Sequence, residues 1–224
     1  MDSLFDLGGK VAVITGSTKG IGRAIAHRMA QHGARVVISS RKADACDRVA
    51  GEIAAAGGEA LAQPCNVTKR EDLDALVEAT MARWGRIDVL VCNAAVNPYF
   101  GPSIDLPESA WDYVLNANLK SLFLLSNKVL PQMAECGEGS VIFVSALGAF
   151  IGTDVMGVYQ ISKAAELQLA RNIAVEWGPR GIRANCIGRL GNLVHAHDVR
   201  ADEGTQGRDE NHRPFAALRH LRQD

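Results

Sequence analysis

Between residues 10 and 187, short runs of apolar residues alternate with longer amphipathic stretches. Several of the runs are continuously apolar, which is typical of parallel strands covered on both faces. The runs that predict strands are Val11–Thr15, Arg35–Ser39, Ala60–Val67, Ile87–Asn93, Ser140–Ser145 and Ile182–Ile187.

The stretches between these runs carry helical signals. In the first, an apolar residue occurs at every fourth position (Ile21, Ile25, Met29), and another begins with a capping box at Thr68 and Glu71 and ends at Trp84-Gly85. A third helix is predicted within Glu108–Glu135, interrupted or ended near Pro131, and a fourth over Val158–Trp177. Strands that alternate with helices in this way predict an α/β fold. We expect a Rossmann-like doubly wound parallel sheet of six strands, with helices on both faces.

Composition limits the function. The 224 residues fit one domain, and 24 basic against 25 acidic side chains give a net charge of −1, so no nucleic-acid partner is expected. No apolar run approaches the roughly 18–20 residues of a membrane span. The first ten residues contain two aspartates and no apolar stretch, so no signal peptide is predicted. Five cysteines without a CxxC pair indicate reduced thiols, no metal site and a cytoplasmic location.

The composition changes near Gly188. Of the 36 residues from Arg189 to Asp224, 11 are hydrophobic, and the segment contains no Tyr, Trp, Met or Cys. We therefore predict a folded domain over residues 1–187 and an atypical polar C-terminal tail over residues 188–224. The tail is interpreted as an exposed polar segment or, alternatively, as a lid that covers a substrate.

A glycine-rich loop follows the first predicted strand and leads directly into the first helix. It consists of Gly16, Ser17, Thr18, Lys19, Gly20, Ile21 and Gly22. Glycines let the backbone turn tightly and approach a pyrophosphate, and a helix start offers free N–H groups and a positive dipole end. An ordinary tight turn is the alternative. The position between a buried strand and a helix favours a dinucleotide site, so the 1–187 segment is predicted to be a dinucleotide-binding catalytic domain.

The glycine spacing is GxxxGxG rather than GxGxxG, and here the chain resembles the short-chain dehydrogenase/reductase family. Further motifs in family order extend the resemblance over roughly residues 8–187. They are Cys92-Asn93-Ala94-Ala95, Asn118 in Asn116-Ala117-Asn118-Leu119, Tyr159-Gln160-Ile161-Ser162-Lys163 and Arg183-Ala184-Asn185-Cys186-Ile187. The stretch from Asn93 to Pro98 is most similar to dicarbonyl and retinal reductases. The resemblance implies hydride transfer between a nicotinamide cofactor and a small-molecule carbonyl or alcohol, in a homo-oligomer.

The end of the second strand bears on the choice between NAD(H) and NADP(H). An acidic residue there would bind the ribose 2′-hydroxyl and repel a 2′-phosphate. This chain has Ser40 and Arg41 instead, and Lys19 lies in the glycine loop. A guanidinium beside hydroxyls suits a phosphate dianion, so we expect NADP(H). The alternative is that Arg41 and Lys42 are merely solvated.

By the same resemblance, the cofactor site also includes Asn66 and Val67 after the third strand and Asn93 and Ala94 after the fourth. Asn66 stands where the family usually has an aspartate that faces the adenine. An amide can still form a hydrogen bond with an amino group, so we expect cofactor binding to be retained.

Tyr159 and Lys163 are four residues apart on a predicted helix and therefore share a face. A phenol with a pKa near 10 is a poor acid or base at neutral pH, and an adjacent ammonium favours the phenolate. The ammonium of Lys163 can therefore lower the pKa of Tyr159 toward the operating pH, where proton transfer is efficient. The resemblance implies that Tyr159 is the catalytic proton donor, that Lys163 also binds the nicotinamide ribose, and that Asn118 anchors a water that relays protons to Lys163. A locally satisfied asparagine is the alternative for Asn118.

The family also has a catalytic serine on the strand before the tyrosine, and here the chain departs from the pattern. The usual separation of 13 residues from Tyr159 falls on Ala146, whereas Ser145 is 14 residues away. Side chains alternate between the faces of a strand, so Ser145 should point away from the substrate unless a bulge intervenes. We expect Ala146 to occupy the serine position and keep Ser145 as the alternative.

A second departure follows Ile187, where the family has a Pro-Gly pair, a substrate loop, a helix and a seventh strand. None of these is evident after residue 188, so the seventh strand and much of the usual dimer surface are expected to be missing. Two functions remain open: an NADP-dependent oxidoreductase, or a non-catalytic NADP-binding protein that is an inactive, altered copy of such an enzyme.

Overall fold

The computed structural model describes residues 3–189, with side chains for residues 4–188. Six parallel strands form one sheet in the order β3-β2-β1-β4-β5-β6. They are β1 (Val11–Thr15), β2 (Arg35–Ser39), β3 (Glu59–Ala62), β4 (Val89–Cys92), β5 (Gly139–Ala146) and β6 (Ile182–Arg189). The strand order reverses between β1 and β4, which places a crevice at the carboxyl ends of these two strands. The predicted Rossmann-like parallel sheet is confirmed.

Helices connect the strands and cover both faces of the sheet. They are α1 (Gly20–Gln31), α2 (Ala43–Ala55), α3 (Arg70–Trp84), α4 (Glu108–Leu115), α5 (Ser121–Glu135) and α6 (Gly157–Trp177). A single π turn, Asn116–Lys120, joins α4 to α5 without a break in the helical path.

The side chains of β1 point alternately to the two faces of the sheet, and each face has its own core layer. Val13 packs into one cluster with residues of α3, α5 and α6, such as Leu76 and Leu125. Its neighbours Ala12 and Ile14 point the other way, into a cluster with residues of α1 and α2. Both faces of a parallel strand are thereby buried, which explains its uninterrupted apolar sequence.

Several predicted boundaries are wrong. The third strand ends at Ala62 rather than Val67, since Pro64 has no N–H to continue the ladder. The fourth begins at Val89 rather than Ile87, and the buried Asp88 before it accepts the Val11 N–H at 2.7 Å. The sixth strand continues to Arg189, two residues past the predicted end of the domain.

Two helix signals were also misinterpreted. The Thr68 hydroxyl donates to Asn66 Oδ1 at 2.9 Å instead of capping a helix, and α3 begins at Arg70 without a side-chain cap. Pro131 lies inside α5, so it neither interrupts nor ends that helix; the irregular part of the 108–135 stretch is the π turn.

The predicted polar tail and the missing seventh strand concern residues that lie outside the described range, except for residues 188 and 189. In the described part, no helix is both long enough and apolar enough to cross a membrane. Residues 3–189 also contain no cluster of three or more His, Cys, Asp or Glu side chains that could hold a metal ion.

Candidate active site

The glycine loop after β1 has a backbone that side chains would not tolerate. Gly16 and Gly20 have φ values of +67° and +54°, in the left-handed region that favours glycine. At Gly22 an added Cβ would lie 2.5 Å from Asn93 Nδ2 and closer still to the Gly16 carbonyl oxygen. At Gly20 it would meet nothing within 4 Å. The loop is therefore tight on its protein side and open on the other.

The start of α1 opens onto the same space. Lys19 occupies the N-cap position without a side-chain cap, and the first turn contains no acidic residue. Arg23 N–H donates to the Lys19 carbonyl, so the N–H groups that precede it are left at the helix terminus. Free N–H groups and an open glycine face fit the pyrophosphate of a dinucleotide.

Ser17 supports this loop from within. Its hydroxyl donates to the Ile14 carbonyl at 2.8 Å and accepts the Ser39 N–H at 2.8 Å. The Ser17 N–H donates to the Ser39 carbonyl at 3.0 Å. Because its polar groups bridge β1 and β2, Ser17 stabilises the shape of the glycine loop instead of offering a donor to a ligand.

Asn93 locks the loop from the β4 side. Its Nδ2 donates to the carbonyls of Thr15 and Gly16 at 3.0 and 3.2 Å. The Thr15 hydroxyl in turn accepts the N–H groups of Asn93 and Ala94 at 3.0 and 3.1 Å. Thr15 was not predicted as a site residue, although a threonine at the end of a buried strand, directly before the first loop glycine, was a signal that could have identified it.

Of the residues predicted to select NADP(H), Ser40 and Arg41 follow the end of β2, and Lys19 is the N-cap residue of α1. Ser40 is half-buried, and its Oγ lies 3.4 Å from Cys46 Sγ. Arg41 and Lys19 are exposed, and neither forms an ion pair within residues 3–189. Two exposed cations without an acidic partner suit a phosphate dianion.

The predicted adenine side of the site is occupied by local contacts. Asn66 Oδ1 accepts both the N–H and the hydroxyl of Thr68, at 3.2 and 2.9 Å. The Asn66 amide nitrogen therefore remains as the group that could bind an adenine. The Val67 side chain is partly buried against the core, so this side chain can supply only apolar contacts.

Tyr159 and Lys163 lie on the first turns of α6, where they share a face as predicted. Lys163 Nζ is 5.7 Å from the centroid of the Tyr159 ring. The Lys163 side chain is buried, and its ammonium donates to the Val144 carbonyl at 2.9 Å and to Glu166 Oε1 at 2.7 Å. The charge beside the tyrosine is therefore half of a buried ion pair.

Glu166 is the main residue that the sequence reasoning missed. It is only 1% exposed, and burial raises its pKa to about 7, against the opposing effect of the Lys163 ammonium and the Ser145 hydroxyl. Its second oxygen, Oε2, has no hydrogen-bond partner among the described residues. The signal was an acidic residue three positions after Lys163, on a face otherwise occupied by apolar residues.

Asn118 joins two parts of the site. The π turn buries its carboxamide, which accepts the Val96 N–H at 2.8 Å and donates to the Val96 carbonyl at 2.9 Å. It also donates to the Ser162 hydroxyl at 3.1 Å. The loop after β4 is thereby fastened to α6 beside Tyr159 and Lys163. Both N–H groups of the carboxamide are used, so a water relay through Asn118 would have to use the second lone pair of Oδ1 or the backbone.

The end of β5 places Ser145 and Ala146 on opposite faces. The Ser145 hydroxyl donates to the Lys163 carbonyl at 3.0 Å and is buried against α6. The strand pairs one-to-one with β6 through Ala146↔Arg189, so no bulge reverses the alternation. Ala146, on the other face, has no hydroxyl to offer a substrate.

Comparisons with known proteins agree with this geometry. The family model described as short chain dehydrogenase matches residues 10–191. Dehydrogenase/reductase SDR family member 4 of Sus scrofa is 46% identical over 178 residues, which are 80% of this chain and 64% of the relative. The same protein of Oryctolagus cuniculus is 44% identical, over 81% of this chain and 70% of the relative. A Homo sapiens relative named SDR family member 2, mitochondrial, is 44% identical, over 81% and 64%. The chain thus spans about two thirds of the length of these relatives.

Solved structures give the same result. A 7 alpha-hydroxysteroid dehydrogenase, complexed with NADH and 7-oxo glycochenodeoxycholic acid, is 37% identical with a TM-score of 0.79, over 82% of this chain and 71% of that one. A short-chain type dehydrogenase/reductase from Mycobacterium marinum is 34% identical with a TM-score of 0.78, over 83% and 76%. The chain belongs to the short-chain dehydrogenase family, whose members are oxidoreductases that bind NAD(H) or NADP(H).

Proposed function

We propose that this protein is an NADP(H)-dependent oxidoreductase that interconverts a ketone or aldehyde and the corresponding alcohol, with Tyr159 as the proton donor. The observation that carries the proposal is the pairing of Tyr159 with the Lys163 ammonium on α6. Asn118 fastens this pair to the loop after β4, so it stands at the carboxyl edge of the sheet that also carries the glycine loop.

The residues present fit a dinucleotide. The loop Gly16–Gly22 and the start of α1 would hold the pyrophosphate, while Ser40, Arg41 and Lys19 would hold a 2′-phosphate. When bound, the cofactor supplies the hydride. A structural relative was solved with NADH, so the preference for NADP(H) rests on the exposed cations of this chain.

In carbonyl reduction, Tyr159 holds a proton on its phenol oxygen and gives it to the carbonyl oxygen. The phenolate that develops is stabilised by the Lys163 ammonium, which opposes the return of the proton. The Val144 carbonyl on β5 and the Glu166 carboxylate on α6 fix the position of that ammonium. Replacement of the phenol hydroxyl should therefore stop the reaction without loss of the binding site.

A second candidate function is NADP binding without turnover. It is favoured by one feature: the Ser145 hydroxyl is bound to the main chain of α6, and Ala146 leaves the opposite face without a donor. Loss of one donor to a reacting oxygen costs about 10²–10³ in rate. That cost slows a reductase but does not abolish it, so we prefer the enzyme.

The substrate in this proposal is a small-molecule carbonyl or alcohol, and we also propose a homo-oligomer, as is usual in the family. Exposed aromatic side chains on α4 and α5 could serve such an assembly: Trp111, Tyr113 and Phe123 are 38–48% exposed. A cytoplasmic location is proposed from the five cysteines, which are all free thiols.

The test is a titration with NADPH and NADH, followed by turnover of a broad panel of ketones and aldehydes at 340 nm. Tighter binding of NADPH together with its consumption supports the reductase. Binding without consumption would favour the non-catalytic alternative. No binding of either nucleotide would contradict both proposals.

A further inference from the structure

We propose that Glu166 is a positioning residue for Lys163. It holds the Lys163 ammonium against the sheet and sets how strongly that positive charge acts on Tyr159. The inference deepens the proposed function, since it rests on Tyr159 as the proton donor. No sequence motif used to define the site includes Glu166.

The geometry ties Glu166 to the proton donor through one intermediate. Its Oε1 lies 2.7 Å from Lys163 Nζ, and both side chains are at most 3% exposed. The same Nζ is 2.9 Å from the Val144 carbonyl and 5.7 Å from the Tyr159 ring. The carboxylate is thus in direct contact with the ammonium and opposes its field at the tyrosine, in a region where water screens little.

Among residues 4–188, Lys163 is the only charged group that acts on Glu166. Cys92 on β4 and Cys186 on β6 are thiols whose pKa values are raised, chiefly by burial, so both are uncharged near pH 7. The Ser145 hydroxyl lies close by and is bound to the Lys163 carbonyl. Oε2 has no hydrogen-bond partner among the described residues, which is costly for a buried carboxylate.

This environment makes Glu166 adjustable. Burial raises the pKa of Glu166 to about 7, so the carboxyl group gains or loses its charge near neutral pH. When it is ionised, the pair is neutral overall and the ammonium stabilises the phenolate of Tyr159 less strongly. When it is protonated, the full charge of Lys163 favours the phenolate, as catalysis requires.

The experiment measures Tyr159 itself and needs neither substrate nor turnover. Phenol ionisation is followed at 295 nm from pH 7 to 11, and the Tyr159→Phe spectrum is subtracted to remove the other two of the three tyrosines. In Glu166→Gln, Tyr159 should ionise about one pH unit lower than in the wild type, an about tenfold change in the phenolate equilibrium. Glu166→Met removes the charge with an apolar side chain of similar length and should shift it in the same direction.

Two controls separate charge from structure. Glu166→Asp keeps a carboxylate and should leave Tyr159 close to its wild-type titration. Glu176→Gln removes an exposed carboxylate from the far end of α6 and should have no effect. If Tyr159 titrates at the wild-type pH in every folded variant that lacks the carboxylate, the role of Glu166 is refuted. If Tyr159 shifts in the variants but the wild type consumes no NADPH with any carbonyl, the proposed function alone is overturned. If the wild type consumes NADPH but Tyr159 does not shift in the variants, this inference alone is overturned.

Discussion

Replacement of Gly22 by alanine should weaken both the fold and the binding of NADPH. An added Cβ would lie 2.5 Å from Asn93 Nδ2, and the Gly16 carbonyl oxygen would be closer still. Asn93 cannot simply move away, because the same Nδ2 donates to the carbonyls of Thr15 and Gly16. Relief of the clash therefore displaces the glycine loop from α1 or breaks these hydrogen bonds.

The change in stability combines two costs with one gain. Overpacking of a tight site costs about 1–3 kcal/mol, and the gain in helix propensity from Gly to Ala returns about 1 kcal/mol at most. Loss of a hydrogen bond adds about 1 kcal/mol. We expect Gly22→Ala to lower the free energy of unfolding by a net amount of about 1–3 kcal/mol.

Gly51 provides a matched control. It also lies inside a helix, α2, but an added Cβ there would meet nothing within 4 Å. Gly51→Ala should therefore stabilise the protein by about 0.5–1 kcal/mol and leave NADPH binding unchanged.

Urea unfolding of the wild type and both variants gives the stabilities, and a fluorescence titration gives the dissociation constants for NADPH. We expect at least about tenfold weaker binding for Gly22→Ala, since a loop displacement removes contacts to the pyrophosphate. A Gly22→Ala protein with the stability and the NADPH affinity of Gly51→Ala would refute the argument that Gly22 is needed for the packing of the glycine loop.

Three further predictions concern the selectivity, the rate and the pH dependence. Arg41→Asp should reverse the preference for NADPH over NADH in binding titrations, because a carboxylate repels the 2′-phosphate; an unchanged ratio would place the phosphate site elsewhere. Ala146→Ser should raise kcat by about 10²-fold with little change in NADPH affinity, and no gain would show that this position does not face the reacting oxygen. Burial raises the pKa of Glu166 from 4.5 to about 7, so the stability it contributes is present below pH 4.5 and lost as the pH rises through 7. Relative to Glu166→Gln, the wild type should lose about 3 kcal/mol between pH 4.5 and 8 in urea unfolding, and parallel pH profiles for the two proteins would contradict this.

Patterns that reflect burial on both sides of a strand were predictable from the sequence. The run Val11–Thr15 matched β1 residue for residue, because every position in it is buried between the two helical layers. The glycine loop was equally evident, since positive φ values and close backbone approach at Gly16 and Gly22 restrict the choice of residue.

Local hydrogen-bond competition was not predictable. Thr68 and Glu71 have the spacing of a capping box, yet the Thr68 hydroxyl forms its hydrogen bond with Asn66 Oδ1 and caps no helix. Pro131 is tolerated inside α5, where it leaves the helical path unbroken.

Among the site residues, Glu166 shows most clearly what the sequence alone could not predict. A motif search stops at Lys163, whereas the partner of a buried ammonium depends on which side of α6 meets the sheet. Ser17 and Asn93 show the same limit, because the fold directs their polar groups to the loop rather than to a ligand. Such roles depend on tertiary contacts that no spacing rule contains.

We propose that Tyr159 supplies the proton for carbonyl reduction at a site where the glycine loop and the start of α1 bind NADPH. The most direct test compares NADPH consumption at 340 nm by the wild type and Tyr159→Phe, each with its NADPH affinity measured by titration. The substitution removes the acidic hydroxyl and keeps the ring, so the affinity should stay within a few-fold while turnover falls to the buffer rate. Turnover retained in Tyr159→Phe, at equal NADPH affinity, would contradict the claim.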